Sequence, residues 1–174
     1  MYLCVLFSLV LAIVHCDNRP IQLGLFDTAG QEGFDRLRVL AYPGTDIFLV
    51  CFSVDSRTSF SNVEQVWVPE IRHNAGKDAK IVLIATKTDL RDCSQTRRRM
   101  RTINQSLIKE EEGREMCKRL QLLNYMECSA FTQNGLKSVF EFAANESLGV
   151  SSTQQTQKPG FLRKFLCWSH NNVE

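Results

Sequence analysis

Residues 46–54 read DIFLVCFSV and residues 80–86 read KIVLIAT. Apart from Asp46, Ser53, Lys80 and Thr86, every position in the two runs is apolar. Continuous apolar runs of this length suit strands covered on both faces, the mark of a parallel sheet. Upstream, an apolar stretch from Leu11 ends near Cys16, and Asp17-Asn18-Arg19-Pro20 supplies turn chemistry. Ile21 to Phe26 then alternates as a second strand, so a hairpin is expected there. Downstream, Tyr125 to Cys128 predicts a further short strand. Helical patterns fill the gaps. Ser59 to Asn74 carries Phe60, Val63, Val66, Trp67 and Ile71 on one face. Glu110 to Leu123 opens with three glutamates, which favour a helix amino end, and Leu136 to Leu148 carries a stripe of Leu136, Val139, Phe140, Ala143 and Ala144. Strands alternating with helices predict an α/β domain with right-handed crossovers. SSTQQTQKP (residues 151–159) is polar, so the domain is expected to end near Val150 with a tail after it.

The 174 residues suit one domain, with 44% apolar and 23% charged side chains, the balance of a globular protein. A net charge of +2 is too weak to point to nucleic acid as a partner. The seven cysteines are odd in number and scattered, with no C-x-x-C. They read as reduced cytosolic thiols, not a disulfide frame or a zinc site. MYLCVLFSLVLAIV (residues 1–14) is apolar but for Ser8, and shorter than the roughly 20 residues of a spanning helix. No Lys or Arg precedes it and no small-x-small pattern follows, so a buried strand is expected. Secretion led by residues 1–16 is the competing reading, with sequons at Asn104 and Asn145.

Three strings carry chemistry. Asp27-Thr28-Ala29-Gly30-Gln31-Glu32 follows the strand ending at Phe26. The carboxyl end of a parallel strand is where open α/β sheets bind ligands. Gly30 lets the backbone come close to a phosphate, and Gln31 can orient a water. Thr86-Lys87-Thr88-Asp89-Leu90 closes the strand that begins at Lys80. A carboxylate there accepts two hydrogen bonds from a guanine edge, which adenine cannot supply. The Lys87 stem can cover the base. Glu127-Cys128-Ser129-Ala130 closes the next strand, and its turn offers backbone N–H groups to a base oxygen.

In this order, each at a strand's carboxyl end, the three strings resemble the Ras superfamily of small GTPases. Phe34-Asp35-Arg36-Leu37-Arg38, Ala41-Tyr42-Pro43-Gly44-Thr45-Asp46 and Trp67-Val68-Pro69-Glu70-Ile71 look like its Rho family. So does the long segment from Asp92 to Gly113, where Rho proteins carry a helical insert. DIFLVCFSV, WVPEIR and ECSAFTQNGLKSVF look most like the atypical Wrch/Chp branch. The resemblance covers about residues 12–150. It implies a three-layer P-loop-GTPase-like α/β fold, a mostly parallel sheet, and GTP or GDP with Mg²⁺ as cofactors. It implies that Asp27 holds Mg²⁺ through water, that Gly30 donates to the γ-phosphate, and that Gln31 is catalytic, positioning the attacking water. Thr86, Lys87 and Asp89 would read guanine, with Ser129 and Ala130 closing over it. Gln31 to Arg38 would be the second switch, with Phe34, Arg36 and Leu37 meeting exchange factors, GTPase-activating proteins and effectors. Gly33 replaces an acidic residue common there.

Parts of the family pattern are not found. No G-x-x-x-x-G-K-[ST] stands in the sequence; the one Gly-Lys pair, Gly76-Lys77, has Ile71 and Asp78 in the wrong places. The first switch is not found either. The chain is expected to start at the family's second strand, with residues 1–10 unmatched and about five strands in an N-terminally incomplete sheet. Very weak GTP binding and little or no hydrolysis follow. The alternative function is a non-hydrolysing module that engages partners through the second switch. In the tail, Cys167 is followed by WSHNNVE, which excludes a Cys-a-a-X box. Phe161, Leu162, Phe165 and Leu166 share one helical face beside Arg163 and Lys164. With Cys167 as a lipidation candidate, this predicts a membrane-surface segment, and a cytoplasmic protein reaching the inner face of the plasma membrane. Arg97, Arg98, Arg99 and Arg101 in the insert read as a solvated face.

Overall fold

The computed structural model describes residues 7–16, 19–29, 38–148 and 163–169. β1 (Phe7–Cys16) and β2 (Arg19–Ala29) form the expected hairpin, antiparallel from Phe7 opposite Thr28 to Cys16 opposite Arg19. Residues 7–10, unmatched in the sequence reading, therefore belong to a strand. β3 (Ile47–Ser53), β4 (Ile81–Thr86) and β5 (Asn124–Glu127) run parallel, as their apolar runs predict.

Among the described residues the sheet has six strands rather than about five. β6 (Arg163–Ser169) lies parallel between β2 and β3, giving the order β1-β2-β6-β3-β4-β5. Leu166 stands in register with Phe26 on one side and Phe48 on the other. This corrects the helical reading of the tail around Phe165 and Leu166; Phe161 and Leu162 lie outside the described residues. The physical reason is the hydrogen-bonding need of two neighbours. Without β6, β2 and β3 would both leave ladder N–H and C=O groups unpaired inside the sheet. Phe165 and Trp168 have strand propensity, and the pairing outweighs a helical periodicity only a few residues long. The expected tail after residue 150 thus returns to the sheet at 163–169.

Alternation along the central strands splits the core. Phe48, Val50 and Phe52 with Ile81, Leu83 and Ala85 face one side. Ile47, Leu49 and Cys51 with Val82 and Ile84 face the other. The first side is covered by α1 (Arg57–Asn62), a wider turn at Val63–Trp67, α2 (Val68–Ala75) and α4 (Glu110–Arg119). Ser56 starts α1, its hydroxyl accepting from the Ser59 N–H. The helix widens just before Pro69, which has no N–H for the carbonyl one turn earlier. Gly113 of α4 lies against Tyr125, where a Cβ would come within 2.3 Å of the ring. On the second side α5 (Leu136–Ser147) places Val139, Ala143 and Ala144 on the sheet. α3 (Ser94–Thr102) lies within residues 92–113 and buries only Thr96 and Met100. Among the described residues no helix is long and apolar enough to cross a membrane.

Candidate functional site

All strands but β1 run parallel, so their carboxyl ends share one edge of the sheet. Asp27 lies near the end of β2, Thr86 ends β4, and Ser129 and Ala130 follow β5. After Thr86 the chain turns sharply. Lys87 takes left-handed backbone angles, φ 57° and ψ 36°, and a single helical turn runs from Thr88 to Arg91. That conformation costs a non-glycine residue about 1–2 kcal/mol. The surroundings hold it: the Thr86 hydroxyl donates to the Phe52 carbonyl at 2.9 Å, and the Thr88 N–H donates to the Cys128 carbonyl at 3.4 Å.

Besides that backbone bond, side-chain contacts tie the loop after β4 to the loop after β5. The Ser129 hydroxyl donates to Asp89 Oδ1. One turn further, Arg91 grips Glu127 with both ends of its guanidinium, at 2.6 and 2.8 Å, while its Nε donates to the Ile108 carbonyl at 3.0 Å. The Tyr125 hydroxyl also donates to Glu127. Burial opposes the Glu127 charge, but the bonds from Arg91 and Tyr125 outweigh it and hold the carboxyl below its ordinary range. Burial and the same carboxylate push the Tyr125 phenol well up. Ser129 is itself fixed: its N–H donates to the Asn134 carbonyl at 2.9 Å, and its hydroxyl accepts from the Thr132 N–H at 3.2 Å. Gly135 then starts α5 at φ +70°, where a Cβ would lie 2.2 Å from the Glu127 carbonyl oxygen. Thr86, Lys87, Asp89, Ser129 and Ala130 are thus brought together at one end of the sheet.

The Asp89 carboxylate and Lys87 line a cavity of about 530 Å³ that continues inward between α5 and the sheet. Its walls include Leu49, Cys51, Ile84, Val139 and Phe140, and Phe131 beside it is 88% exposed. The sequence reading missed this cavity and the Arg91–Glu127 clamp. The clamp had a signal, since Arg91 follows Asp89 by two positions and Glu127 precedes Ser129 by two. The cavity had none.

A second cluster sits where the expected switch segment rejoins the fold. Arg38, 2% exposed, donates to both Glu70 oxygens, at 2.9 and 2.6 Å, and lies 5.0 Å over the Trp67 ring. The Tyr42 hydroxyl donates to the same carboxylate. Burial and Glu70 together push the Tyr42 phenol far above its usual range. Burial disfavours the Arg38 cation, and Glu70 more than offsets this. Within residues 92–113, Arg97, Arg98, Arg99 and Arg101 are all exposed, and Arg99 binds Asp55 at 2.5 Å.

Gly30, Gln31, Phe34, Arg36 and Leu37 lie outside the described residues. Cys167 stands in β6, in register with Asp27 and Leu49. Among the described residues no three His, Cys, Asp or Glu side chains are grouped to hold a metal ion.

The Ras family model matches residues 5–148. Members of that family generally bind GTP or GDP with Mg²⁺. A parallel α/β sheet with its ligand motifs on one edge, and a family match over most of its length, make this chain a member of the Ras family of small GTPases.

Proposed function

We propose that the protein is a Rho-type guanine-nucleotide switch of intracellular signal transduction, acting on the cytoskeleton and cell shape, with its base-reading end preformed. The observation that carries this is the bond from the Ser129 hydroxyl to Asp89. It couples the two loops that would grip a base before any base arrives. Asp89 would accept two N–H groups from the guanine edge, the Lys87 stem would lie over the ring, and the backbone N–H of Ala130 would meet the base oxygen, with Ser129 fixing the turn through its own bonds to Asn134 and Asp89. Rho character is supported by Arg38 and Glu70, which stand in two Rho-like strings and bind each other, and by α3 within residues 92–113.

The phosphate end is weaker. The 174 residues hold no G-x-x-x-x-G-K-[ST], the pattern whose N–H groups, Lys and hydroxyl hold phosphates and Mg²⁺. Hydrogen bonds to charged groups contribute roughly 1.5–3 kcal/mol each. Four such bonds amount to about 6–12 kcal/mol if additive, which is about four to nine decades of affinity. We infer very weak GTP binding by this chain and hydrolysis near background. Asp27 and Gln31 would then act on no firmly held γ-phosphate.

A second reading is favoured by the Arg38–Glu70–Tyr42 cluster. Its bonds are made by protein groups alone and hold Arg38, which ends the expected switch segment, as a partner-binding module would require. Phe34, Arg36 and Leu37 would then meet exchange factors or effectors in the cytoplasm. Attachment to the inner face of the plasma membrane through Cys167 would need β6 to leave the sheet, because Cys167 is paired on both sides.

Competition between guanosine and adenosine tests the base reading. Guanosine should bind at least about tenfold more tightly, and Asp89→Asn should abolish the preference. Equal binding of both nucleosides by the parent chain would contradict it.

A further inference from the structure

The cavity behind Asp89 is larger than a base-reading site needs. Its volume of about 530 Å³ falls within the range of small-molecule sites. Its polar side chains, Thr86, Lys87 and Asp89, belong to the one loop at the end of β4. The remaining walls are apolar: Leu49, Cys51 and Ile84 from the sheet, and Leu136, Val139 and Phe140 from α5. Water in such a space finds few hydrogen-bond partners and is easily displaced by an apolar group.

We propose that this site binds an aromatic base carrying an uncharged apolar arm, with the base edge at Asp89 and the arm in the cavity between α5 and the sheet. The chemistry sorts the candidate ligands. A carboxylate at the mouth, held by Ser129, selects a head with neighbouring N–H donors. Apolar walls select an arm with no charge, because a charged arm would lose its hydration without gaining a partner. A triphosphate therefore gains nothing from this cavity, whereas a phenyl or butyl substituent does. Only the identity of the head rests on the base reading proposed above; the arm's seat rests on the cavity.

Calorimetric titration of the full chain with two matched pairs of ligands tests this. The pairs are guanine against N2-phenylguanine, and adenine against N6-phenyladenine. Partial burial of a phenyl arm should tighten binding about tenfold. Leu136→Trp narrows the cavity from α5 and should bring that gain down to about one. Cys51→Leu narrows it from the sheet and should do the same, with thermal melts confirming that both variants fold. A gain that is missing in the parent chain, or that survives both substitutions, overturns the proposal. The base reading fails separately. If guanine and adenine bind alike while both phenyl compounds keep their cavity-dependent gain, the arm's seat stands and the guanine-reading role of Asp89 falls.

Discussion

The two halves of the ligand-binding edge are held in different ways. Around β4 and β5, side chains do the holding: Ser129 on Asp89, Arg91 on Glu127, Tyr125 on the same carboxylate. Every partner lies between residues 86 and 135, within the continuous stretch from β4 through α3 and α4 to the start of α5. Around β2 and β6 the holding seen is a backbone ladder, made by a strand that returns from the far end of the sequence. A site assembled from local side chains keeps its shape when distant elements shift. A ladder between distant segments depends on the closure of a long loop, and its loss is felt by both neighbours.

Breaking the ladder should therefore have the largest effect. Leu166→Pro removes an N–H from a strand paired on both sides, where proline is not tolerated. A loss of about 3 kcal/mol in urea unfolding is expected, with β2 and β3 amides losing hydrogen-exchange protection. Protection at β4 and β5 should fall less. Equal loss across the whole sheet would erase the contrast between the halves.

Gly135→Ala strikes the side-chain half at its tightest point. The added Cβ meets the Glu127 carbonyl oxygen and the backbone angle is left-handed, so about 2–3 kcal/mol should be lost. Guanosine binding should weaken with it, because Gly135 leads from the Ser129 turn into α5. Unaltered stability would mean that this turn shifts freely.

Glu127→Gln sharpens the comparison by pH. The folded-state pKa of Glu127 is depressed by Arg91 and Tyr125 against the effect of burial. Its contribution to stability is thus fully present above its ordinary value of 4.5 and is lost as pH falls through the lower folded-state value. The substitution should cost about 1–2 kcal/mol at neutral pH and flatten the decline below pH 4.5. An unchanged acid profile would remove Glu127 from the account; Asp55 and Glu112, also depressed, would then carry the decline.

What was legible in the sequence follows the same division. β3 and β4 are legible because strands covered on both faces must be apolar throughout, and each run carries its own evidence. The placing of Thr86–Asp89 at a strand's carboxyl end is legible because the apolar run from Ile81 stops there. β6 is not, because RKFLCWS suits a short helix or a strand equally. What decides it is two open ladders, at residues 23–29 and 47–50, with no local trace in the tail. The Arg91–Glu127 clamp lies between: both charges are visible, but their pairing requires β4 and β5 to be adjacent. The cavity exists only once α5 is laid on the sheet.

The central claim is that the base end is formed while the phosphate end adds little. Isothermal titration of the purified chain with guanosine, adenosine and GTP, with and without Mg²⁺, tests it directly. The account predicts that guanosine binds more tightly than adenosine, that GTP lies within a few-fold of guanosine, and that Mg²⁺ changes neither. Submicromolar, Mg²⁺-dependent binding of GTP would contradict it, and would mean that residues of this chain replace the P-loop.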